Sequence, residues 1–294
     1  MNQFITAVLT SLSSGAIYAL MSISLVLVWR STRVVNFAQA GQAVLTTFIG
    51  YEVTVRSGSY WIGLIAAVIS GAVVGAIIDR FFMRPIFKRV KSGPIVMIAP
   101  VVATLGLLGL IQAIIGFIWG FTYVSIEAPV STDGYNLFGT VVAFSPFNLM
   151  VLVAVTIAML LLTLLFQKTN IGLALRASAF SPEIARLSGI KVDAVRTLGW
   201  AIAGAAGGLA GMLYVPGSYL HPNAMDVLLV FGFIAAVIGG LDSLFGAVAG
   251  AMILGFAINF ATSYISYKLV FITAFALLIT VLLVNQMEFS LQAR

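Results

Sequence analysis

Residues 147–167 read FNLMVLVAVTIAMLLLTLLFQ, and residues 168–191 continue KTNIGLALRASAFSPEIARLSGIK. The first stretch runs 21 residues without Asp, Glu, Lys or Arg. About 20 such residues in a helix cross the hydrocarbon core of a bilayer. A helix also satisfies every backbone N–H and C=O within the segment, which lipid cannot do. The second stretch restores charge at once, with Lys168, Arg176, Glu183, Arg186 and Lys191. That junction sets the fold class: apolar helices joined by polar loops.

Further spans are predicted at 4–29, 34–55, 61–79, 94–118, 195–215 and 268–287. The apolar region 227–264 is too long for one crossing and holds Gly239-Gly240-Leu241-Asp242-Ser243 at its middle. Glycines, Asp and Ser disfavour a continuous helix there, so the region reads as a short helix, a break and a full span. The expectation is an all-α polytopic transmembrane bundle of eight or nine spans, broken near 239–243, as one membrane domain over 1–294. No residue from Met1 to Trp29 is charged and no A-x-A cleavage pattern follows, so the first span reads as retained rather than as a signal peptide.

Composition agrees. Of 294 residues 61% are hydrophobic and 8% charged, with mean hydropathy +1.13, against about 25% charged in a soluble domain. The net charge of +6 is no nucleic-acid signal, because ten of the fifteen Lys and Arg fall in 80–91 and 168–196. Basic loops between spans mark the cytoplasmic side. This orientation puts the N-terminus outside, Arg30 and Arg33 inside, and 119–146, with Glu127 and Asp133 but no Lys or Arg, outside. Pairs of small residues four apart, Gly71/Gly75, Gly116/Gly120, Gly204/Gly208, Gly207/Gly211 and Gly246/Gly250, predict close helix crossings.

Three stretches could carry function. In 170–191, Leu173, Ala177, Phe180, Ile184 and Leu187 form an apolar stripe at helical spacing, with Arg176, Glu183 and Arg186 off it. Ser181-Pro182-Glu183 is a helix start, with an N-cap hydroxyl, proline at the first position and an acid in the first turn. Gly189 is a C-terminal stop. The helix so defined either lies on lipid headgroups or docks into a groove on a cytoplasmic motor subunit.

In the second stretch Asn36, Gln39 and Gln42 share one face of the second span, with Ser13, Ser14 and Tyr18 of the first span able to face the same interior. Unpaired amides in hydrocarbon are costly, so they either bond between helices or line a transport path. Third, Asp242 at the break either caps the following helix or borders the path.

Some chemistries are absent from the sequence. There is no G-x-x-x-x-G-K-[ST] phosphate loop, no G-x-S-x-G elbow, no cysteine and a single histidine, His221. The chain therefore reads as neither an ATPase nor a hydrolase, with no metal site expected.

Four stretches carry a family resemblance: GAIYAL (15–20), VVNFAQAG (34–41), TLGLLGLIQ (104–112), and 172–190 together with VIGGLDSLFGAVAG (237–250). The chain resembles the branched-chain amino acid permeases of bacterial ATP-binding cassette importers, on their LivH-like side. The resemblance implies a non-catalytic translocation subunit in the bacterial inner (plasma) membrane. It would pair with a second related permease, identical or not, and with two cytoplasmic ATPases that alone use ATP as cofactor. An extracytoplasmic binding protein would deliver a small solute, a branched-chain or other amino acid, with urea or short amides as alternatives.

It matches Glu183, Ala185, Arg186 and Gly189 to the family's ATPase-coupling loop, where the helix start Ser181-Pro182 completes the expected coupling residues, and matches Asn36, Phe37 and Ala38 to the second-span signature. The expected path residues are Ser14, Tyr18, Asn36, Gln39, Gln42 and Asp242. Gln39 and Asp242 stand where many relatives carry histidine and glycine. A proton- or sodium-driven secondary carrier is the other reading, and it needs buried ionisable groups, of which the spans offer almost none. A passive channel or scaffold subunit is a third.

Overall fold

The structure, a computed structural model, describes residues 2–89, 95–137 and 140–292. Lys91 of the basic loop and the start of the span at 94–118 lie outside the described residues. The helices are α1 (Asn2–Thr32), α2 (Gln39–Ser57) and α3 (Tyr60–Ile77), the last passing through a π-helical turn, Ile78–Met83, into α4 (Arg84–Arg89). After α5 (Ile95–Trp119) a small antiparallel hairpin pairs β1 (Asn136–Leu137) with β2 (Thr140–Val141), Asn136 opposite Val141. Then follow α6 (Pro146–Lys168), α7 (Asn170–Phe180), α8 (Pro182–Leu187), α9 (Val192–Tyr214), α10 (Asp226–Gly239), α11 (Leu244–Tyr264) and α12 (Val270–Gln292).

Among the described residues seven helical stretches are long and apolar enough to cross a membrane: Gln3–Thr32, Tyr60–Arg89, Ile98–Trp119, Pro146–Lys168, Val192–Gly217, Leu244–Tyr264 and Tyr267–Val284. Two others separate that count from the eight or nine read from sequence. α2 has 19 residues, but Gln39, Gln42, Glu52 and Arg56 reduce its apolarity. α10 has 14 residues, a rise of about 21 Å, short of a core about 30 Å thick. The polytopic helical class stands.

Position in the bundle follows from the distribution of apolar side chains. α1 is apolar on all sides and sits at the centre against α6, α9, α10 and α11; 78% of its apolar window is buried. α12, equally apolar, has 6% of its window buried. Its side chains, like Phe117 on α5 and Leu160 on α6, point outward, an arrangement that costs nothing where lipid replaces water.

Glycine sets how closely the inner helices approach. A Cβ on Gly204 of α9 would stand 2.0 Å from the Gly71 carbonyl oxygen of α3, and one on Gly75 2.2 Å from the carbonyl of Trp200. Gly246 and Gly250 of α11 meet Gly239 and Ala235 of α10 in the same way, while Gly207 and Gly211 face Gln39 and Thr47 of α2. The pair Gly116/Gly120 differs from expectation. Gly116 lies under the ring of Phe121, and Gly120, at φ +77, ends α5; that spacing reports a helix stop, not a crossing.

The break falls where the sequence places it. α10 ends at Gly239, Gly240 takes φ +86, and α11 restarts at Leu244. The cap is Ser243, whose hydroxyl accepts from the Gly246 N–H at 2.9 Å. Asp242 does not cap α11, because its carboxylate is turned to Arg33.

Candidate functional site

The ends of α1, α4, α6 and α7, the helix α8, the start of α9 and the α10–α11 turn gather at one end of the bundle, and most of the arginines lie there. The segment beyond α6 forms two helices because two hydroxyls cap them. Thr169 Oγ1 accepts from the Gly172 N–H at 3.1 Å, and Ser181 Oγ accepts from the Ile184 N–H at 3.4 Å. Proline at the first position of α8 donates no hydrogen bond and loses none. At its other end the Ile190 N–H reaches the Ala185 carbonyl while Gly189 adopts φ +82, a glycine-terminated stop.

The faces of these helices are sorted. Leu175, Ser178 and Ala185 turn into the protein. Leu173, Phe180, Ile184 and Leu187 turn out, Phe180 and Leu187 being 91% and 89% exposed. Apolar side chains thus project from a short capped helix at the basic end, while Glu183 and Arg186 are exposed beside them. Arg186 lies 3.8 Å from Asp193.

A buried ion cluster joins this loop to the bundle. Asp79, in the π-helical turn, is 0% exposed. Arg196 Nε donates to its Oδ1 at 2.9 Å, Arg84 Nε to its Oδ2 at 3.1 Å, and Thr197 Oγ1 to its Oδ2 at 2.6 Å. Arg84 also reaches the Asp193 carbonyl and the Thr197 hydroxyl. The Arg196 guanidinium lies over the Phe87 ring, 5.2 Å from its centroid. A carboxylate out of water is tolerable only when paired and hydrogen-bonded, and here all its partners are present. Asp79 is the residue of this end that sequence reasoning did not single out. Its signal was an acid closing an apolar run, with Arg80 and Arg84 just beyond it. It is one of the few buried ionisable groups in the spans, which the sequence reading put at almost none.

The three amides of the second span are fully buried. Asn36 Nδ2 donates to Gln39 Oε1 at 3.2 Å. Gln39 Nε2 donates to the Ala203 carbonyl of α9 at 3.0 Å, and Gln42 Nε2 to the Gly71 carbonyl of α3 at 3.2 Å. They therefore bind α2 to α9 and α3, in the space the glycines leave. Asn36 Oδ1 and Gln42 Oε1 have no partner among the described residues. Ser14 is half-buried on α1, and Tyr18 packs edge-on against Phe231 of α10, ring centroids 5.2 Å apart. Asp242 stands apart, 68% exposed and paired with Arg33. Arg33 itself takes the left-handed conformation, φ +57, between α1 and α2.

Beside Phe37 is a cavity of about 130 Å³ between α1, α10 and α12. Leu25, Val35, Phe37, Leu229, Phe233 and Phe275 are among its apolar walls. The far end of the bundle is formed by the 119–146 segment and the residues after α9, tied by backbone hydrogen bonds between Val124 and Leu220. Glu127 and Asp133 lie there beside open depressions.

Comparison with known proteins agrees with this architecture. The chain is 32% identical over 254 residues to a probable branched-chain amino acid transport permease protein LivH of Methanocaldococcus jannaschii, covering 84% of this chain and 78% of that one. It is 27% identical to the high-affinity branched-chain amino acid transport system permease protein LivH of Salmonella typhimurium, over 96% and 93% of the two chains. The fold is similar to a solved structure of PsaBC from Streptococcus pneumoniae in complex with Fab, with TM-score 0.51 at 14% identity over 96% of this chain and 91% of that one. The family model described as branched-chain amino acid transport system / permease component matches residues 7–284. The chain belongs to that permease family.

Proposed function

We propose that this chain is the translocation subunit of an ATP-driven importer for branched-chain amino acids, with its N-terminus outside and its basic end in the cytoplasm of a bacterial inner membrane. The observation that carries the reading is α8: a capped helix on the basic side, displaying Ile184 and Leu187 to solvent beside Phe180 at the end of α7. Exposed apolar side chains of this kind fit a groove on a partner. In this reading 1–294 is one membrane domain whose loop 168–194 presents Ser181, Pro182, Glu183, Ala185, Arg186 and Gly189 to a cytoplasmic ATPase. The chain holds no cofactor, and ATP is used by two such partners. A second related permease completes the pore, and an external binding protein delivers substrate to the far end.

Motion imposed on α8 would pass through Arg186–Asp193 and the Asp79 cluster into α9 and α3. The proposed path is bordered by Ser14 and Tyr18 of α1 and by Asn36, Gln39 and Gln42 of α2, with Asp242 at its basic mouth. The apolar cavity beside Phe37 supports an aliphatic side chain as cargo, and the substrates named for the two LivH relatives point the same way.

The test is reconstitution with candidate partners in liposomes. ATP-dependent leucine uptake should be lost on deleting 181–189, with membrane insertion intact. Uptake that survives the deletion would remove the docking role. Uptake by this chain alone, under an ion gradient without ATP, would make it a secondary carrier.

A further inference from the structure

Five arginines converge beneath α8, and three carboxylates answer them. Arg30, Arg33, Arg186 and Arg196 line a cavity of about 230 Å³ between the end of α1, α7, α8 and the start of α9, and Arg84 adjoins Arg196 at Asp79. Asp242 takes Arg33, Asp193 lies by Arg186, and Asp79 is shared by Arg84 and Arg196. Two positive charges are left over. One is Arg30, which among the described residues has no carboxylate in ion-pair range and rests over the Phe166 ring at 5.6 Å. Glu183, on the same short helix, does not line the cavity.

The wall also holds an uncommitted donor. Ser178 is buried, and its Oγ has no hydrogen-bond partner among the described residues. A buried hydroxyl without a partner is unfavourable, and an incoming acceptor would relieve it. At about 30 Å³ per liquid water, the space admits several waters or one phosphoryl group.

We propose that this cavity is a binding site for a phosphoryl anion, held by Arg30 and the neighbouring guanidiniums with Ser178 as a hydroxyl donor. Arginine forks match phosphate oxygens in pairs, and Asp242, Asp193 and Asp79 leave charge to spare for one such group. The cavity lies where the apolar helix α1 ends among arginines, so an anionic lipid headgroup is one source; soluble phosphate is the other. Its walls come from α8 and from the bundle, so an occupant ties the docking helix to the body. This holds whether or not an ATPase docks on α8.

The test uses the full chain in phosphatidylcholine nanodiscs and follows amide hydrogen exchange over residues 178–190. In one arm part of the lipid is replaced by phosphatidylglycerol; in the other inorganic phosphate is added to the neutral bilayer. Exchange should slow several-fold in one arm or both, and the arm that responds names the source. Arg30→Gln should abolish the slowing and Ser178→Ala should weaken it. Arg80→Gln, which removes an exposed charge outside the cavity, should leave it intact. No slowing in either arm, slowing that both cavity variants retain, or an equal loss in Arg80→Gln overturns the proposal. Ser178→Ala removes a single hydroxyl and keeps the test decisive if Arg30→Gln fails to fold.

Discussion

Arg196 donates its Nε to Oδ1 of Asp79 across 2.9 Å, joining the start of α9 to the π-helical turn that ends α3. Arg84 holds the other carboxylate oxygen. Removing the carboxylate leaves two guanidiniums in a largely buried setting without a counter-charge. Breaking such a cluster costs about 3–5 kcal/mol, and the lower end applies because both arginines keep some solvent contact. Asp79→Ala should therefore lower the thermal midpoint of the purified chain sharply, whereas Arg80→Ala, at an exposed neighbour, should not. Equal midpoints for the two would show that the cluster does not hold α3 to α9.

The α3–α9 crossing gives a steric prediction. Gly71→Ala would bring a Cβ within 2.3 Å of the Gly204 carbonyl oxygen, and Gly204→Ala would meet both Gly71 and the Gln42 amide. Backbone cannot yield as a side chain tip does, so each change should cost at least the 1–3 kcal/mol typical of overpacking. Gly109→Ala, which meets nothing within 4 Å, should be neutral or slightly stabilising in the helix. Thermal melts of the three variants in one detergent check the order.

Local features were legible in the sequence and tertiary ones were not. Ser181, Pro182 and Gly189 delimit α8 because caps are decided by residues three or four positions apart. The break after Gly239 was readable for the same reason. The identity of its cap was not: Asp242 and Ser243 are equally suitable locally, and Arg33, distant in sequence, draws Asp242 away. Asp79 was hidden because its partner Arg196 is 117 residues further on. Buried amides were predicted at Asn36, Gln39 and Gln42, but their acceptors on α3 and α9 depend on which glycines meet them. Gly116/Gly120 shows the converse failure, a spacing that resembles a crossing and ends a helix instead.

The exposed side chains of α8 separate docking from stability. Leu187 and Ile184 contribute little burial in the isolated chain, so Leu187→Asp should leave its folding stability within about 0.5 kcal/mol of the parent, as surface changes do. Pull-down of the ATPase by the same variant should fail, since a charge would enter an apolar groove. Ser181→Ala acts differently: loss of an N-cap costs about 1 kcal/mol of helix stability and should weaken association without abolishing it. Retained association in Leu187→Asp would leave α8 as a helix lying on headgroups.

The last prediction concerns Gln39 and Gly207. A Cβ on Gly207 would stand 2.5 Å from Gln39 Nε2, the atom that donates to Ala203. Gln39→Ala removes that bond and also leaves the Asn36 amide without its acceptor. Interhelical bonds in membranes average about 0.6 kcal/mol, and an orphaned buried donor adds about 1–3, so the variant should lose about 2 kcal/mol. Gly207→Ala alone should also destabilise, because it displaces the amide. Together the two changes should cost less than their sum by about 1 kcal/mol, since the methyl then occupies space that the shortened side chain has vacated. Thermal or denaturant unfolding of the four proteins measures this coupling directly. A strictly additive cycle would mean that Gln39 does not lie against Gly207. The same four proteins, assembled with their partners, divide the two roles open to the amides. A residue that only fastens α2 to α9 lowers stability and leaves uptake per folded molecule unchanged, whereas one bordering the path lowers uptake beyond what the loss of folded protein explains.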